Sequence, residues 1–141
     1  MNSTRHIDMA TLILRLGLGG MFVAHGLLKV MVFTLPGTMG FFESVGFPGW
    51  LAYIVTVAEI GGGALLIAGL FTRQVAIALM PVLLGALWVH AGNGWLFSAE
   101  NGGWEYPAFL LVATVVQALL GGGRYVLPVP GRAAAPAGSH S

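Results

Sequence analysis

Four apolar stretches alternate with short polar or glycine-rich breaks along the chain. They cover residues 9–32, 49–70, 74–91 and 104–120. Each reaches the roughly 17–25 residues that a helix needs to cross the hydrocarbon core of a bilayer. The pattern therefore predicts an all-α membrane protein, folded as an antiparallel four-helix transmembrane bundle.

A mixed segment separates the first two stretches. Pro36 and Gly37 indicate a turn, and Thr38 is placed to cap a short helix that runs to Val45. The phenylalanines that follow Thr38 predict that this helix lies at the membrane interface. Around the transmembrane domain, residues 9–125, we expect a polar N-terminal tail over residues 1–8 and a flexible C-terminal tail over residues 126–141.

Composition supports the membrane class and excludes several others. Hydrophobic residues make up 57% of the chain and charged residues 8%, whereas soluble domains are about 25% charged. A net charge of +1 gives no reason to expect a nucleic-acid partner. Since the chain has no cysteine, it cannot itself hold a cysteine-ligated iron–sulfur cluster or a covalently attached c-type haem.

The distribution of charged residues predicts the orientation in the membrane. The arginines outside the spans lie near the chain ends or in the second connection, whereas Glu100 and Glu105 lie in the third loop. The positive-inside rule therefore places both termini in the cytoplasm. Lys29, at the outer end of the first span, departs from this rule, so we expect it to have a carboxylate partner: Glu43, Glu59 or Glu105.

The first span carries charged residues on one face. Arg15, Phe22 and Lys29 are seven positions apart, and His25 lies one turn before Lys29. A charge that faces lipid costs roughly 2.5–3.5 kcal/mol even on lenient insertion scales. This face is therefore predicted to turn inward, onto the other helices.

Position along the predicted spans gives a depth for the polar residues of the other helices. His90 and Glu105 share the level of His25 and Lys29, and Glu59 lies near mid-depth. We expect these side chains, together with Arg15, to converge on one interior pocket that opens towards the outer leaflet.

These residues fall into four ordered motifs. Arg15-Leu-Gly-Leu-Gly is followed by Phe22, His25-Gly26 and Lys29, and Glu59-Ile-Gly-Gly-Gly is followed by Gly69-Leu-Phe-Thr-Arg73. His90 and then Gly103-Trp-Glu-Tyr106 complete the series. From about Arg15 to Tyr125 the chain resembles the DoxX family of small four-helix bacterial membrane proteins. The resemblance implies a protein of the bacterial inner membrane, linked to quinone-dependent redox chemistry, whose substrate-oxidising centre lies in a partner subunit.

A quinone site needs an apolar slot, hydrogen-bond donors for the carbonyl oxygens and groups that pass protons. Histidine and carboxylate side chains suit proton transfer, and aromatic side chains suit the ring. On this hypothesis the proton-handling residues are His25, Glu59, His90 and Glu105. The quinone-binding residues are Arg15, Phe22, Lys29, Trp88 and Tyr106.

Other uses of the same residues stay open at this point. The chain could instead be a scaffold that recruits redox enzymes to the membrane, alone or as a homo-oligomer. In that case the polar residues would form structural ion pairs, Arg15 with Glu59 and Lys29 with Glu105. His25, His90 and Glu105 have the chemistry of a metal site. His25 and His90 also suit the axial positions of a b-type haem between facing helices.

Overall fold

The computed structural model describes residues 2–96, 98 and 102–128. Within this part of the chain there is no strand, and the helices are α1 (Ser3–Met31), α2 (Leu35–Ser44), α3 (Leu51–Ala68), α4 (Thr72–His90) and α5 (Glu105–Leu120), with a 3-10 turn at Ala91–Asn93. Three segments are long and apolar enough to cross a membrane: α1, α3, and α4 together with the 3-10 turn that follows it. α5 is also apolar but is shorter, with 16 residues. The predicted all-helical membrane class is confirmed. Glu100, Arg132 and residues 129–141 of the predicted tail lie outside the described residues.

The helix between the first two spans begins earlier than predicted. Thr34, not Thr38, is its N-cap, and the Thr34 hydroxyl accepts a hydrogen bond of 3.2 Å from the Gly37 N–H. The reason is Pro36, which lacks an N–H and fits the first turn of a helix. Thr38 is instead buried inside α2, where its hydroxyl donates to the Thr34 carbonyl at 2.8 Å.

The long helices and α5 pack in a closed ring, α1 on α3, α3 on α4, α4 on α5 and α5 on α1. Between α1 and α3, Gly19 lies against Gly63 and Gly26 lies against Ile60. Residue numbers therefore rise along α1 as they fall along α3, so these two helices are antiparallel.

Apolar side chains occupy both the middle and the outside of the ring. A central group, called here the core cluster, is buried and consists of Leu18, Phe22, Leu66, Leu79, Leu83, Leu110 and Ala113. Large apolar side chains such as Ile54, Val57 and Phe109 are exposed on the outer face. A helical ring that is apolar outside as well as inside is what a lipid environment favours.

The two ends of the ring differ. At one end, called here the terminal end, Thr11 lies against Gly123, and the Leu127 N–H donates to the Ala68 carbonyl at 2.9 Å. The opposite end, called here the far end, holds the last turn of α1 and the start of α5. α3 finishes at the terminal end at Gly69, whose φ of 80° suits glycine and few other residues.

Candidate functional site

The far end contains an ion pair between α1 and α3. Lys29 Nζ lies 3.1 Å from Glu59 Oε1 and 2.9 Å from Glu59 Oε2. The lysine side chain is 19% exposed and that of the glutamate 7%. α1 and α3 approach closely here because Gly26 has no side chain: a Cβ at Gly26 would lie 3.3 Å from the Glu59 Cβ. Lys29 thus has the carboxylate partner that its position in the sequence required.

His25 lies one turn before Lys29 on α1. Its Nδ1 is 2.7 Å from the Met21 carbonyl oxygen, which can only accept, so Nδ1 carries the hydrogen. In a neutral ring Nε2 is then the basic nitrogen. The imidazole stacks on the Tyr106 ring with centroids 5.5 Å apart. We call His25, Lys29, Glu59 and Tyr106 the far-end cluster.

Three other predicted site residues contact different parts of the chain. His90 Nδ1 is 2.7 Å from the Ala86 carbonyl, and the His90 ring lies against Gly102. Trp88 is 66% exposed and packs edge-on against Phe47, with centroids 5.5 Å apart. Phe22 is 2% exposed. Its ring is enclosed by the core cluster and offers no free face to a ligand.

Glu105 lies in the first turn of α5, and its backbone N–H donates to the Trp95 carbonyl at 3.0 Å. Among the described residues, no group of three or more His, Cys, Asp or Glu side chains is arranged to hold a metal ion. His25, His90 and Glu105 therefore do not form the metal site that the sequence left open.

Arg15 lies at the terminal end and does not reach the far-end cluster. Its side chain turns inward as predicted and is 1% exposed, but its guanidinium donates to the carbonyls of Gly122 and Tyr125. About four turns of α1, or about 21 Å, separate it from Lys29. The predicted Arg15–Glu59 pair is wrong for this reason, and so is the expectation that all buried charges meet in one pocket. The ion pair that Lys29 forms in the described chain is with Glu59.

Helix ends supply the negative charge around Arg15. α3 ends beside it, at Gly69, and α5 ends just before the carbonyls that it binds. Each helix C-terminus carries a partial charge of about −0.5. These partial charges offset part of the positive charge of the guanidinium.

Sequence reasoning missed the side chains that hold the end of α5. Gln117 is fully buried and its Nε2 donates to the Gly121 carbonyl at 3.0 Å. Arg73 Nε donates to the Ala118 carbonyl at 2.9 Å. The feature of the sequence that could have indicated Gln117 is a single amide side chain within an apolar stretch.

We expect Arg15→Met to release residues 121–128 from the helical ring. A hydrogen bond to a charged group contributes about 1.5–3 kcal/mol, so amide hydrogen exchange in this segment should become at least about tenfold faster. Mass spectrometry of the exchanged peptides measures this. Arg124→Met is the matched control because Arg124 is exposed on the same segment. Equal exchange rates in wild type and Arg15→Met would contradict the assigned role.

Comparison with known proteins identifies the family of this chain. The DoxX family profile matches residues 10–92. A Bacillus subtilis (strain 168) protein named "Putative oxidoreductase CatD" is 33% identical over 117 residues, which is 83% of each chain. An uncharacterized protein of Haemophilus influenzae (strain ATCC 51907 / DSM 11121 / KW20 / Rd) is 41% identical over 93 residues, 64% of this chain and 67% of the other. No solved structure matches significantly. Because the family profile covers more than half of the sequence, including Arg15, Lys29, Glu59 and His90, the chain belongs to the DoxX family.

Proposed function

We propose that this protein is a four-span inner-membrane subunit of a quinone-linked oxidoreductase, with its far-end cluster as the quinone and proton-handling site. Membership of the DoxX family and the oxidoreductase name of the Bacillus relative support a redox role. The electron donor in this proposal belongs to another subunit, since the chain has no cysteine for an iron–sulfur centre.

The proposed topology places both termini in the cytoplasm. Arg5, Arg73 and Arg124 all belong to the terminal end, as the positive-inside rule requires of a cytoplasmic face. α5, with 16 residues, is about 24 Å long. It completes a fourth span with Trp104 at one interface and the attached segment after Gly121 at the other.

The observation that carries the proposal is the Lys29–Glu59 pair next to His25. An ammonium group has three N–H donors. With Glu59 engaging Nζ through both carboxylate oxygens, one donor is left for the carbonyl oxygen of a quinone. The Lys29 side chain is partly exposed, so a ligand from the membrane can reach it. The side chains of the far-end cluster therefore suit the binding of a quinone.

A bound quinone supplies a two-electron, two-proton couple. In the proposed mechanism Lys29 orients the quinone through its remaining N–H, and Glu59 holds that ammonium in place through both carboxylate oxygens. His25 holds its Nδ1 hydrogen on the Met21 carbonyl, which leaves Nε2 free to take up or release a proton. Tyr106 fixes the plane of the imidazole by stacking on it. The predicted parts of His90, Glu105 and Trp88 in the site stay proposals.

Binding of decylubiquinone to the purified protein in lipid nanodiscs tests the proposal. We expect saturable quenching of tryptophan fluorescence by wild type, and binding at least about tenfold weaker in Lys29→Met, since one hydrogen bond from a charged donor is lost. Glu43→Gln is the matched control, because Glu43 is exposed on α2, and its affinity should equal that of wild type. Quenching that never saturates, or that is the same in wild type and Lys29→Met, would overturn the quinone site and favour the scaffold role.

A further inference from the structure

Buried polar side chains form two layers inside the ring. At the terminal end the layer consists of Thr11, Arg15, Thr72 and Gln117, each less than one-tenth exposed. Towards the far end the layer is the far-end cluster. Arg15 Nε, Thr72 Oγ1 and Gln117 Oε1 have no hydrogen-bond partner among the described residues, so the terminal layer can accept water without loss of internal bonds. The two layers are separate polar compartments.

The core cluster lies between these layers. Phe22 is two turns from Arg15, about 10 Å along α1, and side chains from α3, α4 and α5 complete the layer at this depth. The polar side chain nearest to it on α5, Thr114, is fully buried, and its hydroxyl is engaged by the Leu110 carbonyl at 2.7 Å. A file of water molecules needs two to four polar partners for each molecule, and the side chains of the core cluster offer none. The core cluster is a septum across the interior.

The charge of Arg15 strengthens the septum. A fixed cation beside an apolar constriction repels protons and other cations, as arginine does in water-selective pores. Protons approaching from the terminal end meet first a buried guanidinium and then the core cluster. From the far end, by contrast, the Lys29 side chain is partly exposed.

We propose that the far-end cluster exchanges protons and small solutes with only one side of the membrane, the side opposite the terminal end. The inference extends the proposed function: in the proposed orientation, protons taken up or released during quinone chemistry come from or go to the outside of the cell. Access itself depends only on the septum, so it is measurable without a quinone.

Single-cysteine variants test the access route, and the natural chain is suited to this because it has no cysteine. Lys29→Cys and His25→Cys mark the far-end cluster, and Ala113→Cys marks the core cluster. Gln74→Cys, exposed in the first turn of α4, marks the terminal end. Each variant is treated with a membrane-impermeant cationic methanethiosulfonate in vesicles of both orientations, and the modified fraction is measured by mass spectrometry.

We expect Lys29→Cys and His25→Cys to react at least about tenfold faster from the far side than from the terminal side. Gln74→Cys should show the reverse preference, and Ala113→Cys should react from neither side until the vesicles are dissolved in SDS. Reaction of Ala113→Cys in intact vesicles, or equal rates from both sides for the two far-end variants, would overturn the septum. Loss of decylubiquinone binding with one-sided labelling intact would instead overturn only the quinone site. Using two far-end variants guards against one of them misfolding.

Discussion

Glu59→Leu is expected to lower the free energy of unfolding by about 3 kcal/mol, and a second substitution, Lys29→Met, should restore part of that loss. Removing one partner of a buried ion pair strands the other charge, which typically costs 3–5 kcal/mol. We place this pair at the lower end because the Lys29 side chain is 19% exposed. Reversible unfolding in mixed detergent micelles, followed by circular dichroism, measures both values.

Arg15→Met combined with Glu59→Leu is the control for this cycle. Arg15 and Glu59 bind different partners, so their effects should add. Full additivity of Lys29→Met and Glu59→Leu, with coupling between Arg15 and Glu59 instead, would show that the pairing in the structure is not the one that stabilises the protein.

Gly63→Val is expected to force α1 and α3 apart and to destabilise the protein by about 3 kcal/mol or more. A Cβ at Gly63 would lie 2.7 Å from the Gly19 carbonyl oxygen and 2.9 Å from the Val23 backbone nitrogen. Backbone atoms in the middle of a helix cannot move aside as a flexible side chain can. The same unfolding measurement reports the loss.

Gly61→Ala supplies the matched control, two positions away on the same helix. A Cβ there meets no atom within 4 Å, and alanine is favoured over glycine in a helix by about 1 kcal/mol. Gly61→Ala should therefore leave stability unchanged or raise it. If Gly63→Val were as stable as Gly61→Ala, close approach of α1 and α3 would not hold the ring together.

The helices and the inward face of α1 followed from the sequence, because apolar length and the seven-residue spacing of Arg15, Phe22 and Lys29 are local properties. The hydrogen-bond and ion-pair partners of the buried side chains did not follow from the sequence in the same way. Predicting that Arg15 binds Gly122 and Tyr125 requires knowing that residues after α5 turn back across the terminal end, a contact more than 100 positions apart in the chain. Charge alone suggested a carboxylate for Arg15, whereas helix ends provide the compensation.

A carboxylate partner for Lys29 was predicted from the sequence, and the structure identifies it as Glu59. Glu59 was among the three expected partners of Lys29, although the sequence placed Glu105 and not Glu59 at the depth of Lys29. Phe22 illustrates the limit: its spacing gave the correct face, but spacing cannot tell a residue that lines a ligand slot from one that fills the core. Burial on all sides by other helices decides this, and only the packed structure contains that information.

The compensation of Arg15 by two helix C-termini has a consequence for how the protein responds to its surroundings. Peptide dipoles do not titrate, and a guanidinium stays protonated at any pH that a cell meets. Acidification therefore leaves the charges that surround Arg15 unchanged. At the opposite end the far-end cluster brings together an imidazole, an ammonium and a carboxylate, three groups that can each gain or lose a proton.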